Sequence, residues 1–358
     1  MSEPVKKKAV QHLLVWMPNW LGDVVFALPT LQALRKQYPE ARLTVVARPP
    51  VSEILPCHPD IDCVIPIPTE IGKRALAQMR FAFSLRKYHF DLAVILPNSL
   101  RSAWLTLLSG APRRIGYETD GRNFLLTDPL PVVKESRSIH GSDYFAGIVK
   151  PLGIETVDKT YPQLLTPDAI GKQRELLKRM GADPSRNLVI AVAPGASKPE
   201  KRWQTERFGI LCQKLVKDKD AKILLFGSGG ERELLDEVRR FCPGKSAFLL
   251  AGLNLQVVAG LLGNCRLLVA NDSGLMNFAA MIDTPVVGIF GPGHPKTTDP
   301  PIAPERKELV TLNFECSPCR HRFFKECEPS PNKKPFCLED ITVTQVARAV
   351  DALLARLA

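Results

Sequence analysis

No apolar run in this chain of 358 residues is long enough to span a membrane. Its opening stretch, Met1 to Lys8, is charged. The run Leu13-Leu14-Val15-Trp16 behind it is interrupted by Pro18, Asn19 and Asp23, so it fits neither a secretory signal nor a membrane helix. No repeat of short period is present. The turn after the first apolar run, Met17-Pro18-Asn19-Trp20-Leu21-Gly22-Asp23, carries only Gly22. A dinucleotide fingerprint needs three glycines there, which argues against a nicotinamide site and against an oxidoreductase. Lys and Arg (48) outnumber Asp and Glu (37), for a formal net charge of +11, yet neither interleaved aromatics nor a nucleic-acid motif accompanies them. Nucleic acid is therefore not expected. An acidic small substrate, a membrane surface or simply a solvated basic surface is left. Nine cysteines, an odd number, do not make a secreted disulfide scaffold. The expectation is a cytoplasmic protein that meets a membrane, if at all, only at its surface.

What is present suits a soluble α/β protein. Hydrophobic residues make up 45% and charged residues 24%, enough for a sizeable core, and the length suits two domains. Pro18, Pro66, Pro97, Pro194 and Pro292 sit where apolar runs end. Short apolar runs alternate with amphipathic ones. Strands are expected at 12–17, 42–47, 62–67 and 91–96, with helices at 28–38, 73–88 and 99–109. An irregular stretch, 121–138, and a helix near 143–150 follow. Residues 156–167 read as a linker. The pattern then restarts, with helices at 168–180, 205–217, 231–241, 256–262 and 274–282, and strands at 188–193, 222–226, 267–270 and 285–290. A final helix is expected at 344–357. This predicts two doubly wound domains, with a cleft between them as a natural ligand site.

Three loops at strand ends carry candidate chemistry in the second half. Asn271-Asp272-Ser273-Gly274-Leu275-Met276 joins a strand to a helix, so it either caps that helix or binds an anion at its N-terminus. Ala193-Pro194-Gly195-Ala196-Ser197 is a small-residue loop followed by Lys198, Lys201 and Arg202, which suits either a phosphate or a solvated basic turn. Gly227-Ser228-Gly229-Gly230 is the third, and Glu231 beside it is a candidate for a ribose hydroxyl pair. Three such loops favour a nucleotide. In the first half Asp23 stands at a probable helix start, as an N-cap or as a general base.

These segments, in order, resemble the ADP-heptose:lipopolysaccharide heptosyltransferases, glycosyltransferase family 9, and within it the heptosyltransferase II group. The likeness rests on Pro18 to Val25, Leu96 to Ala103, Ala193 to Ala196 with Lys201-Arg202-Trp203, and Phe226 to Ser228. Asn271 to Met276, Pro285 to Val287 and Phe290 to Pro292 complete it. The resemblance implies a metal-independent, inverting enzyme of the GT-B type: two Rossmann-like doubly wound domains facing a cleft. Residues 1–160 would bind the acceptor, a lipid A–Kdo–heptose core. Residues 161–341 would bind ADP-heptose, and 342–358 would form a helix packed back on the body.

By the same resemblance Asp23 is the general base. Gly195, Ser197, Lys201, Glu231, Asp272, Ser273, Gly274, Leu275 and Asn277 face the donor, with Lys201 on its phosphates. Asn19, Gly22, Asn98, Arg101, Arg114 and Arg122 are the acceptor-side candidates, with Arg113 a further basic one; guanidinium suits the carboxylates and phosphates of the core, though each arginine taken singly reads as a surface cation. Asn277 departs from the family, which commonly has His there. Another acceptor (Kdo, an outer-core sugar or a protein) and a non-catalytic nucleotide-sugar-binding protein are the alternatives. Finally, Cys316, Cys319, Cys327 and Cys337, with the C-x2-C pair Cys316–Cys319, suggest a structural Zn or Fe site, His321 being a spare ligand, or else four reduced thiols. No cofactor is expected for catalysis.

Overall fold

The computed structural model describes residues 10–72, 74–132, 139–162, 165–293, 295–314, 316, 319, 323–325 and 327–358. The charged opening stretch to Lys8, part of the expected linker (163–164), the end of the irregular stretch (133–138) and His321 lie outside them. The contacts of the chain divide it into two units, 1–136 with 141–162 and 137–140 with 163–358.

The first unit runs β1 (His12–Trp16), α1 (Leu21–Gln37), β2 (Arg42–Ala47), β3 (Cys63–Pro66), α2 (Ala75–Ser84), β4 (Leu92–Ile95), α3 (Leu100–Leu108), β5 (Arg113–Tyr117), β6 (Asp128–Leu130) and α4 (Gly141–Val149). Its sheet has the order β3-β2-β1-β4-β5-β6, all neighbours parallel. Parallel strands need crossovers, and these cover both faces. That is why Leu13, Leu14, Val15, Val45, Val46, Val94 and Ile95 are all buried without alternation.

The second unit runs α5 (Pro167–Met180), β7 (Val189–Ala193), α6 (Thr205–Lys219), β8 (Lys222–Gly227), α7 (Arg232–Arg239), β9 (Ala247–Ala251), α8 (Leu255–Leu262), β10 (Leu267–Asn271), α9 (Gly274–Met281), β11 (Val286–Ile289), α10 (Pro295–Thr298), β12 (Lys307–Val310), α11 (Phe336–Glu339) and α12 (Val343–Arg356). Its order is β12-β11-β10-β7-β8-β9, again parallel throughout. Val346, Ala347, Val350 and Leu353 of α12 share one core with Phe208, Leu225, Val287 and Leu338. Trp203 anchors it: the indole meets Phe208 edge-on at 5.0 Å, and Nε1 donates to the Ile341 carbonyl at 2.8 Å. Trp203→Ala would cost about 3–5 kcal/mol.

Several elements differ from the sequence expectation. The first helix begins at Leu21, seven residues before Leu28, because it is buried almost all round from Val24 to Leu34 and shows no apolar stripe at its start. The irregular stretch contains β6, whose three residues include Pro129; such a strand survives only at a sheet edge. Edge strands β9 and β12 were also not anticipated, and β12, Lys-Glu-Leu-Val, carries the charge typical of an edge. Among the described residues no helix is long and apolar enough to cross a membrane.

In each sheet the chain reverses its direction of strand addition once, between β1 and β4 and between β10 and β7. A crevice forms at the carboxyl ends of such a pair. Both switch points are where the candidate residues fall.

Candidate active site

In the first unit Trp16 pairs with Ile95, so β1 and β4 end level. The turn after β1 delivers Asn19, Gly22 and Asp23. Trp20 is the N-cap of α1 and makes no side-chain cap bond, so Asp23 is not the N-cap; it lies in the first turn, where the helix dipole favours negative charge. The turn after β4 delivers Asn98, and Ser99 caps α3 by accepting from Ser102 N–H at 3.2 Å. Tyr144 of α4 donates its hydroxyl to Asn98 Oδ1 at 2.9 Å, while its ring lies against Tyr117 at 4.6 Å. Tyr117 in turn donates to the Tyr144 carbonyl at 2.9 Å. Burial raises the pKa of Tyr144; the Asn98 bond and Arg122 oppose this, and the charge of Asp23 adds to it. Asp23, Asn98 and Tyr144 therefore share one electrostatic neighbourhood. The sequence reading missed Tyr144, which no motif marks.

The basic candidates of this unit separate. Arg122 is fully buried. Its Nε donates to the Tyr117 carbonyl at 2.8 Å, and its Nη1 to the carbonyls of Pro97 and Ser99 and to Ser102 Oγ. Burial lowers its pKa to about 10. It ties the β4 and β5 loops together from inside and presents no surface to an acceptor. Arg114 sits on β5 level with Ala93 of β4, and so with Leu14 of β1, and donates to the carbonyls of Ala111, Pro112 and Leu125. Arg113 pairs with Asp128 at 2.9 Å. Arg101 is the exposed one, in the first turn of α3.

In the second unit Ala270 pairs with Ala193, bringing the β10 and β7 loops side by side. Asn271 fixes them: Oδ1 accepts from Trp203 N–H at 2.9 Å, and Nδ2 donates to the Pro194 carbonyl at 2.8 Å. Lys201 Nζ pairs with Asp272 Oδ2 at 2.6 Å, the two side chains being 15% and 6% exposed. Thr298 Oγ1 donates to Asp272 Oδ1 at 3.1 Å. The Asp272 carboxylate thus holds Lys201 in place and is not itself a group that could bind a phosphate. Ser273 is the N-cap of α9, accepting from Met276 N–H at 3.4 Å. The half-buried Gly274 and Leu275 begin that helix, where orphan N–H groups point outward. The loop can cap its helix and hold an anion at once.

Glu231 lies between two of the loops. Its Oε2 accepts from Ser228 N–H and Oγ, both at 2.8 Å, as a capping box, and Oε1 stands 3.5 Å from Arg202. A side chain at Gly195 would collide with this carboxylate, which is why the loop needs glycine there. Arg202 also donates to the Ala196 carbonyl at 2.8 Å, while Ser197 is exposed. Asn277, on the second turn of α9, is 3% exposed, and its Oδ1 has no partner among the described residues.

The four cysteines near the C-terminus lie apart from both crevices in sequence. Cys337 is buried on α11, and burial, assisted by the charges of Cys316, Cys319 and Cys327, raises its pKa to about 12. Among the described residues no three potential ligands are close enough to hold a metal ion.

Residues 78–327 match the family model of glycosyltransferase family 9 (heptosyltransferase). The chain is 30% identical over 303 residues, 80% of its length and 85% of the relative's, to lipopolysaccharide heptosyltransferase 2 of Escherichia coli K12. It superposes on the solved E. coli ADP-heptose lipopolysaccharide heptosyltransferase II with a TM-score of 0.78 at 27% identity, covering 97% of this chain and 99% of that one. A family 9 glycosyltransferase from Veillonella parvula shares the fold at a TM-score of 0.83 and 21% identity, covering 98% and 99%. Two parallel six-stranded sheets are the architecture of this chain, and with these matches it belongs to glycosyltransferase family 9, the heptosyltransferases.

Proposed function

We propose that this enzyme transfers L-glycero-D-manno-heptose from ADP-heptose, with inversion, to a heptose of the lipopolysaccharide inner core. The observation that carries the reading is the Lys201–Asp272 pair beside the N-terminus of α9. It is a preorganised cation and a set of free N–H groups at one switch point. Lys201 uses one of its protons on Asp272 and keeps two for a pyrophosphate. As the glycosidic bond breaks, charge develops on the leaving ADP, and these donors stabilise it there. The sugar gains oxocarbenium character. In the first unit Asp23 removes the proton from the attacking acceptor hydroxyl. Asn98 and Tyr144 would orient that hydroxyl, with Asn19 and Gly22 lining the turn and Arg101 reaching the anionic core. Gly195, Ser197 and Glu231 would border the nucleotide, and Ser273, Gly274, Leu275 and Asn277 its phosphates and sugar.

Residues 1–160 would thus take the acceptor and 161–341 the donor. We place the reaction in the cytoplasm, at the inner-membrane face where a lipid-linked acceptor is presented. Four cysteine sulfurs are a soft donor set, and Cys316, Cys319, Cys327 and Cys337 would hold a structural Zn or Fe by drawing closer than they stand here and giving up their protons, with no part in transfer. Metal analysis of protein prepared without chelator tests this.

The test of the main reading is incubation with ADP-heptose and deacylated core acceptors ending in Kdo, one heptose or an outer-core sugar, reading ADP release and product mass. Heptosylation of the heptose-terminated acceptor is expected. Turnover only on another acceptor would replace the substrate assignment, and ADP-heptose binding without turnover on any would replace the enzyme.

A further inference from the structure

Of the face formed by α2, α3 and the turn Asn123–Leu125, only Arg101 has been given a part at the acceptor crevice. Helix α2 buries only Gln78 and Ala82. Leu76, Arg80 and Phe83 are exposed on it at a spacing of four and three, which is one helical stripe. On α3, which packs against α2, Leu100 and Trp104 are exposed one turn apart. Phe124 stands beyond them. Leu76 and Phe124 are 72% and 73% exposed. Leu100, Trp104 and Phe124 line one groove together with Met79 of α2, and Leu76 and Phe83 stand exposed on that same helix, so five of the ten large apolar side chains exposed among the described residues belong to these three neighbouring elements. The groove has a volume of about 350 Å³, and Arg101 also lines it.

Its charge is predominantly positive. From Arg74 to Arg114 the chain carries seven Arg or Lys and a single acid, Asp91. Asp91 is engaged elsewhere, accepting from the N–H groups of Gln11 and His12 at 2.9 Å. Arg74, Arg80, Lys87 and Arg101 are exposed with no ion-pair partner among the described residues. One carboxylate, Asp120, stands near the rim, and its Oδ2 accepts from Leu100 N–H at 2.8 Å.

We propose that this face docks on an anionic lipid bilayer, with Leu76, Phe83, Trp104 and Phe124 in the headgroup–acyl boundary and the unpaired cations on lipid phosphates. Aliphatic and aromatic side chains flanked by Arg and Lys are the composition that partitions there. A second copy of the chain does not fit. An isologous contact would press four exposed cations against their own images, outnumbering Asp120 at the rim. The position fits the reading of the first unit as the acceptor side, on which this inference partly rests. Ser99 caps α3, and the preceding residue, Asn98, holds Tyr144 beside Asp23. A lipid-anchored acceptor would therefore present its sugars next to its own anchor.

Flotation of the full chain with vesicles tests the proposal. Binding to phosphatidylcholine–phosphatidylglycerol vesicles is expected at low salt, weakened on pure phosphatidylcholine and by added salt. Leu76→Ser/Trp104→Ser/Phe124→Ser should lower binding about tenfold or more, and so should Arg74→Glu/Arg80→Glu, through the anionic component alone. Both variants should keep the wild-type melting temperature and full transfer to a deacylated, soluble acceptor. No flotation at low salt, or flotation unchanged in the triple variant, overturns the proposal. Self-association by light scattering that the triple variant abolishes also overturns it, as does binding only to an acidic protein. Loss of transfer to the soluble acceptor in wild type would sink the heptosyltransfer reading while leaving the vesicle result standing.

Discussion

The two crevices share a topology and differ in material. At the β7–β10 switch point the parts proposed to work are main-chain N–H groups, glycines and one buried ion pair, nearly all supplied by the loops themselves. At the β1–β4 switch point they are side chains from separate elements: Asp23 of α1, Asn98 after β4, Tyr144 of α4, with Arg122 braced beneath. The first kind of site suits a ligand whose phosphates look alike from many directions. The second suits a hydroxyl that must be aimed. If that contrast is right, variants should split cleanly into those that affect donor binding and those that affect transfer.

The sharpest break is Asp23→Asn. Transfer should fall by about 10²–10⁴ while ADP binding by calorimetry stays unchanged; retained turnover would remove Asp23 from the chemistry. Lys201→Met strands the Asp272 carboxylate in a site where it is 6% exposed. The loss of a buried partner should cost about 3–5 kcal/mol of stability and weaken ADP binding, both measurable by melting with and without ADP. Asn271→Ala removes the bonds to Trp203 N–H and the Pro194 carbonyl, leaving the Lys201–Asp272 pair as a link between the two loops. It should destabilise by about 2–3 kcal/mol, with ADP affinity falling in step. Tyr144→Phe deletes only the bond to Asn98, and should lower kcat/KM a few-fold to about tenfold with no change in ADP affinity. A change in donor affinity instead would erase the division of labour.

The mildest test at neutral pH is alkaline titration. All five tyrosines, Tyr38, Tyr88, Tyr117, Tyr144 and Tyr161, belong to the first unit. Burial, with Tyr144 adding, raises Tyr117 from 10.0 to about 12. Because the folded state holds that proton more tightly, the stabilisation is intact below pH 10 and is lost as pH rises to about 12. Tyrosinate absorbance, which reports on the first unit alone, should rise cooperatively in that window. A non-cooperative rise centred on pH 10 would show the ring pair to be solvated.

The same contrast explains what could be read from the sequence. Asp272-Ser273-Gly274 and Pro194-Gly195 are contiguous, and a strand followed by small residues and a helix announces its geometry locally. Trp203 N–H and Asn271 lie 68 residues apart, Lys201 and Asp272 71, and Tyr144 and Asn98 46. Such pairings are set by sheet order, which periodicity does not encode. Arg122 shows the other limit. An arginine in a loop looks like a surface cation until packing places it beneath three carbonyls. Strands β6 and β12 were missed because they carry proline or charged residues that erase the apolar signal, whereas β9, Ala-Phe-Leu-Leu-Ala, is a short apolar run whose type periodicity alone does not decide.

The Lys201–Asp272 pair also bears on selectivity among the anions of a cell. The ammonium already has a negative neighbour 2.6 Å away, so the resting site is close to neutral. Free orthophosphate would have to compete with that resident carboxylate for one cation, with little else to hold it. A ligand that engages the α9 N–H groups and the small-residue loops together brings enough contacts to outweigh it. The aspartate would then act as an internal decoy, keeping an abundant small anion out of a site shaped for a larger one.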